Sequence, residues 1–278
     1  MIIIADSGAT KAAWRIIGDD GTVGELVTDG INAVFSDARM VTDILRDKVR
    51  PLCSGAVSQI ILYVAGAVGG EVNKLLSDCV EKVFPEAECL IYPDTLGAAR
   101  AVCGHNPGIA CILGTGASCC FYDGRDISAR VNSGGFILGD EGSGAYLGKR
   151  LLSDYLKGLM PPELSQALEG RYGISYPLIV QKVYREPLPG RYLASFSPFI
   201  KENSAHPWIA ALLRESFGSF TRRNLLSFDR KYPVNFVGSV AFHYSDFICE
   251  ALEKEGFSPG KILAAPIDGL VEYHTIKL

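Results

Sequence analysis

GIACILGTGASCCFYDGRDISARVNSGGFILGDEGSGAYLG, running from Gly108 to Gly148, is the stretch on which the fold turns. It opens with an apolar strand, Ile109 to Leu113, and breaks into the small-residue turn Gly114-Thr115-Gly116-Ala117-Ser118. A second short strand follows. The stretch closes on Gly134-Gly135-Phe136-Ile137-Leu138-Gly139-Asp140-Glu141-Gly142-Ser143-Gly144, which opens a helix. Small residues between two strands let backbone N–H groups approach an anion closely. The glycine-rich acidic segment beside them adds carboxylates and flexible backbone. The stretch reads as a phosphate turn followed by the wall of a substrate pocket.

The start of the chain repeats this order. Met1 to Ala5 is apolar, Asp6-Ser7-Gly8-Ala9-Thr10-Lys11 is a small polar turn, and Ala12 to Ile17 resumes as a strand before Gly18-Asp19-Asp20-Gly21. Ser7-Gly8-Ala9-Thr10 lies over Thr115-Gly116-Ala117-Ser118. One strand–glycine–strand pattern describes any hairpin. Two in matching contexts predict two similar domains, each giving one turn to a shared cleft.

The chain has 278 residues, 48% hydrophobic and 21% charged, enough for two ordinary domains with a sizeable core. A net charge of -4 offers no electrostatic case for nucleic acid or an anionic membrane. The N-terminus enters a strand with no basic leader, and the apolar runs are too short to span a bilayer, so a cytoplasmic protein is expected. The eight cysteines form no C-x-x-C pair and sit mostly in apolar patterns, as reduced thiols do.

Elsewhere strands alternate with helices, an α/β signature. Ser36 is placed to cap a helix reaching Val49, and Val72 to Phe84 carries apolar residues at helix spacing. Cys89 to Tyr92 is a strand delivering Asp94. His105-Asn106-Pro107-Gly108 is the domain boundary, giving domains 1–106 and 107–278. Arg185 to Ser197 shows few clear periods. Pro207 opens a long helix to Arg230, Val234 to Val237 is a strand, Gly238-Ser239 turns into a helix, and Lys261 to Ala264 is the final strand. Gly144 to Arg150 mimics a phosphate-binding P-loop, but its spacing is one residue short and Arg150 stands where Ser or Thr is needed.

Five blocks occur in the order seen in BadF/BadG/BcrA/BcrD-type ATPases: MIIIADSGATKAAWRI; Pro93-Asp94-Thr95-Leu96-Gly97-Ala98-Ala99-Arg100-Ala101; ILGTGASC; GGFILGDEGSGAYLG; and Phe236-Val237-Gly238-Ser239-Val240-Ala241. The chain resembles the N-acetylglucosamine kinase branch of that family, within the actin-like ATPase superfamily. The resemblance implies an α/β fold of two actin-like (ribonuclease H-like) domains flanking a nucleotide and sugar cleft. It implies ATP and Mg2+, and phosphorylation of an amino sugar, N-acetylglucosamine to its 6-phosphate. The partners are then ATP and a small sugar, with no nucleic acid and no membrane. A homodimer stays open.

The resemblance also implies roles for residues. Asp94 occupies the place of the catalytic aspartate, although by position alone it serves equally as a helix cap. Asp6 faces the magnesium and phosphates; Gly8, Thr10, Gly114, Thr115 and Gly116 form the phosphate turns. Gly238 and Ser239 match the adenosine turn, glycine letting the nucleoside reach the backbone. Phe242, on the following helix, is read as a core aromatic in preference to a wall of the adenine site that it would form with Ser204 and Ala205. Asn32, Ser118, Gly135, Phe136 and Asp140 match the sugar pocket, and Glu141 is assigned to structure. Phe136 stands where better-known N-acetylglucosamine kinases have Trp, and Ala117 replaces a Ser. Two other readings keep the fold: an ATPase activator of a radical acyl-CoA dehydratase, and a sugar- or nucleotide-binding regulator without turnover.

Overall fold

The computed structural model describes residues 1–8, 11–31, 37–67 and 69–275. The chain divides into two compact units. One is Met1–His105 joined by the segment from Pro266 on; the other is Asn106–Ala265.

The first unit is built on β1 (Ile2–Ser7), β2 (Lys11–Ile17), β3 (Val23–Asp29), β4 (Gln59–Val64) and β5 (Glu88–Pro93), in the order β3-β2-β1-β4-β5. β1 and β2 pair antiparallel, as do β2 and β3, whereas β1, β4 and β5 are parallel. The second unit has β6 (Gly108–Leu113), β7 (Ala117–Tyr122), β8 (Ile127–Val131), β9 (Val234–Val237) and β10 (Pro259–Leu263), in the order β10-β9-β6-β7-β8. The same antiparallel triplet and parallel triplet recur. The repeat read between residues 1–29 and 108–131 is therefore a repeat of sheet topology. Each unit has its own buried core, one around Ile3, Trp14, Ile60 and Leu62, the other around Ile109, Leu151, Phe217 and Phe236.

The second domain does not run to 278. Helix Ile267–Thr275 follows β10, belongs to the first unit and packs on helix Asp94–Cys103. A Cβ at Gly269 would lie 2.5 Å from the Ala101 carbonyl oxygen, so the two helices touch backbone to backbone. Buried Arg15 on β2 grips Asp268 through Nε (3.0 Å) and Nη2 (2.8 Å), tying the same helix to the sheet.

Local signals moved some boundaries. Asp37 caps helix Ala38–Ile44 by accepting from the Met40 N–H (2.7 Å); Ser36, the expected cap, lies outside the described residues. The long helix spans Pro207–Asn224 and stops short of Arg230; at its last residue, Asn224 Nδ2 donates to the Phe220 carbonyl (3.1 Å). The aperiodic region holds the short helix Pro189–Ala194, and a second, Ser197–Glu202, starts at its end. No helix among the described residues is long and apolar enough to cross a membrane.

Candidate active site

In the first unit the parallel strands finish level: Ser7, Val64 and Pro93 are register partners. Ligand groups in α/β sheets gather at this carboxyl edge. Asp6 is the penultimate residue of β1, and Asp94 is the first residue past β5. Asp6 is half-buried, and its carboxyl is pushed up to about 7, first by burial, then by the Asp94 carboxylate, against the opposing pull of Lys11. The two acids thus share one site.

Pro93 is extended and precedes the helix, so Asp94 is its first helical residue. Its Oδ1 accepts from the adjacent Thr95 N–H (2.8 Å). Burial raises the Asp94 carboxyl, and the Thr95 bond partly offsets this. A half-buried carboxylate with unused lone pairs and a raised affinity for protons suits a general base. The oxygen donors of Asp6 and Asp94 also fit a hard divalent cation, which would relieve their mutual repulsion.

Thr10 and Asn32 lie outside the described residues. The residue before Asn32 is fixed by a contact that sequence reasoning missed. Buried Ser7 accepts from the Ile31 N–H (2.7 Å) and donates to the Ile31 carbonyl (3.0 Å), pinning the loop after β3 to the end of β1. Gly8 closes the neighbouring turn by donating to the Lys11 carbonyl (3.1 Å).

In the second unit the turn after β6 is clipped to the helix Gly144–Leu156. The Gly144 and Ala145 N–H groups donate to the Gly114 and Thr115 carbonyls (2.8 and 3.0 Å). Within the turn, Gly114 donates to the Gly116 carbonyl (3.0 Å), and the Ala117 N–H donates to Asp140 Oδ1 (3.2 Å). The Thr115 and Gly116 N–H groups are left without a partner among the described residues. No atom lies within 4 Å of a Cβ placed on Gly114.

That turn borders a cavity of about 520 Å³, lined also by Ser195, Ser197, Lys201, Ser239, Val240, His243 and Tyr244. Ser197 Oγ is buried there without a hydrogen-bond partner among the described residues. Lys201 Nζ donates to the His243 carbonyl and the Tyr244 hydroxyl to the Ser197 carbonyl (2.8 Å), closing one wall. Ser239, just after β9, lines the cavity. Gly238 has a different reason from the one expected. At φ 123° its Cβ would sit 2.3 Å from the Leu113 carbonyl oxygen, so glycine serves a backbone contact with β6. Phe242 is no core residue either: it is 51% exposed.

Asp140 is buried and left-handed (φ 55°), pressed against Gly116, where a Cβ would meet its Oδ2 at 3.0 Å. Burial raises its carboxyl, with Glu141 adding to the rise and the Ala117 N–H and Lys149 opposing it. Glu141 bonds Arg223 (2.5 Å) and Asn224 (3.4 Å), a structural role. The glycine-rich segment is tightly packed rather than flexible: a Cβ at Gly139 would fall 1.7 Å from the Ser133 carbonyl oxygen. Ser118 is half-buried on β7 opposite Ile112. Gly135 opens the one-turn helix Gly135–Leu138, and Phe136 faces a separate apolar cavity of about 430 Å³ with Lys149, whose Nζ donates to the Phe136 carbonyl (2.7 Å). The structure thus brings together Asp6 with Asp94, Gly116 with Asp140, and Gly114, Thr115 and Ser239 around one cavity.

No protein-family model matches the chain. Its structure is similar to that of a candidate N-acetylglucosamine kinase from Porphyromonas gingivalis, with 40% identity, a TM-score of 0.91, and coverage of 99% of this chain and 98% of that one. A candidate N-acetylglucosamine kinase from Chromobacterium violaceum shares the fold at 19% identity and a TM-score of 0.77, with 98% of each chain covered. Among curated proteins, the N-acetylmuramic acid/N-acetylglucosamine kinase of Clostridium acetobutylicum is 27% identical over 154 residues, 54% of this chain. That match spans 50% of the curated relative's length. The architecture, two units of repeated sheet topology, is the actin-like two-domain fold.

Proposed function

Because the chain belongs to the family of the Porphyromonas gingivalis candidate N-acetylglucosamine kinase, we propose that it is an ATP-dependent amino-sugar kinase that converts N-acetylglucosamine to its 6-phosphate. The observation that carries this reading is the Asp6–Asp94 carboxylate pair at the carboxyl edge of the first sheet. In the proposed reaction Asp94 takes the proton of the sugar 6-hydroxyl. The hydroxyl oxygen then bonds the γ-phosphorus, the bond to the bridging oxygen breaks, and ADP leaves. Asp6 would hold the magnesium that accompanies ATP. Magnesium supplies charge neutralisation on the phosphates.

On this reading Thr115 and Gly116 offer their N–H groups to the phosphates, joined by the turn at Gly8 and Thr10. The cavity beside Gly114 and Ser239 takes the nucleoside, with the unpartnered Ser197 hydroxyl as a polar contact. Asn32, Ser118, Gly135 and Asp140 hold the sugar, and Phe136 offers an apolar wall. None of the eight cysteines is in a disulfide, which suits a reducing cytoplasm. Cys119 and Cys120 are both buried, on opposite faces of β7, which disfavours a cluster-bearing activator.

The test is formation of sugar phosphate from ATP across N-acetylglucosamine, N-acetylmuramic acid, glucosamine and glucose, following the sugar product as well as ADP. Phosphate transfer to an N-acetyl amino sugar is expected. ATP hydrolysis with no sugar phosphate from any of the four would overturn the proposal.

A further inference from the structure

Tyr63 lies directly beside the carboxylate pair. The register places Asp6, Tyr63 and Tyr92 in one row across β1, β4 and β5, so their side chains leave the same face of the sheet. Helix Asp94–Cys103 covers that face, and the Tyr63 ring, fully buried, is its support. A Cβ added at Gly97, one turn along from Asp94, would lie 2.7 Å from Tyr63 Cδ1 and 2.8 Å from Cγ. No side chain can stand between them. The helix therefore rests on the ring at its closest approach, with Asp94 one turn away at the free end.

One turn further along the same side, the helix is held as firmly. Gly269 meets Ala101 backbone to backbone. The Tyr63 hydroxyl accepts from Arg100 Nη1 (3.0 Å) and lies 2.8 Å from His274 Nε2, which leaves its own proton for the histidine. The Arg100 guanidinium stacks over Tyr92 at 4.3 Å. One side chain thus contacts the sheet row containing Asp6, the helix carrying Asp94 and the C-terminal helix that clamps it.

We infer that Tyr63 is a positioning residue for phosphoryl transfer: its ring, seated under Gly97, sets the height of the Asp94 helix and so the placement of the Asp94 carboxylate beside Asp6. The inference rests on the proposal that Asp94 is the base. Misplacing a reacting group by about 1 Å can cost roughly 100-fold in rate.

The experiment is steady-state kinetics on the full chain, with folding checked by circular dichroism and thermal midpoint. Gly97→Ala should lower kcat by about 100-fold and leave the sugar KM within roughly threefold, the split expected of a transition-state effect. Tyr63→Leu, which removes the ring from beneath the helix, should lower kcat in the same way. The double variant Gly97→Ala/Tyr63→Leu should recover at least about tenfold over Gly97→Ala, because the new methyl group then has room. Tyr63→Phe keeps the ring and should keep kcat within about threefold. Near-normal kcat in Gly97→Ala, or a double variant no faster than Gly97→Ala, would overturn the inference. If Gly97→Ala does not fold, Tyr63→Leu decides alone: an unchanged kcat sinks the idea. Asp94→Asn is run in parallel. Turnover retained there defeats the base assignment itself, an outcome separate from the steric coupling between Gly97 and Tyr63.

Discussion

The Asp140 carboxylate accepts a hydrogen bond from the Ala117 N–H at 3.2 Å, and the same carboxylate lies against Gly116. A residue assigned to the sugar is thereby part of the turn assigned to phosphate. Asp140→Ala should therefore weaken both ligands, since it frees the turn as well as removing a sugar acceptor. Asp140→Asn keeps an oxygen for Ala117 and loses only the charge. It should lower sugar affinity by roughly 10- to 150-fold, the loss of one charge-assisted bond, with ATP affinity little changed. Calorimetry on both variants checks this. Equal losses of both ligands in Asp140→Asn would remove Asp140 from the sugar pocket.

Asp94→Asn should reduce sugar phosphorylation by about 100- to 10,000-fold, the range of a general base, with sugar and ATP binding still measurable. Asn keeps the bond to the Thr95 N–H but cannot take the proton. Near-normal turnover would return Asp94 to a role in starting the helix.

Asp6 carries a cost in stability. Its carboxyl binds protons more tightly in the folded chain, at about 7, than its ordinary value of 3.8. Stability is then lost as pH rises from 3.8 through 7, and the full cost is present above 7. Asp6→Asn should raise the thermal midpoint at pH 8 by roughly 2–4 °C per kcal/mol relieved, and the gain should shrink towards pH 4. Activity should fall in the same variant. A midpoint gain that is independent of pH would show that the charge of Asp6 is not its source.

His274 works in the opposite direction. Burial, then Arg100 and His105, push it down to about 4 from an ordinary 6.5, while Tyr63 and Tyr273 complete its surroundings. The unfolded chain binds the proton more readily, so stability is full above 6.5 and falls as pH drops towards 4. His274→Phe should flatten the acid limb of the thermal midpoint between pH 6.5 and 4.5. The opposed Asp6 effect overlaps this window, so each is read against its own variant. An unchanged acid limb in His274→Phe would discount the histidine.

Much of the architecture was readable in the chain because strand–turn–strand patterns are local. The two antiparallel triplets follow from apolar runs separated by Gly and Asp, and Asp94 was placed at a strand end by the run before it. Contacts between distant residues were not readable. Helix Ile267–Thr275 gives no sign of which unit it joins until Gly269 meets Ala101 and Asp268 meets Arg15. Ser197 and Lys201 were missed because a short helix just past a Pro- and Gly-rich region brings them to the cavity without any motif, and Tyr244 because it stands at the far end of helix Ser239–His243. Gly238 and Gly139 were read as yielding to ligand or motion, whereas backbone carbonyls from Leu113 and Ser133 fill the space. Phe242 follows helix spacing and still faces solvent.

The return of helix Ile267–Thr275 to the first unit bears on synthesis at the ribosome. Domains usually complete themselves in the order in which they emerge. Here the second unit, continuous from Asn106 to Ala265, has all its residues before the first has its last helix. Until residue 275 clears the exit tunnel, Ala101 lacks Gly269, Arg15 lacks Asp268 and Tyr63 lacks His274. Nascent chains ending at residue 265 and carried clear of the exit tunnel by an unstructured linker should therefore resist protease in the later-made half and remain cleavable in the earlier-made one. The helix that bears Asp94 would be among the last parts of the molecule to settle.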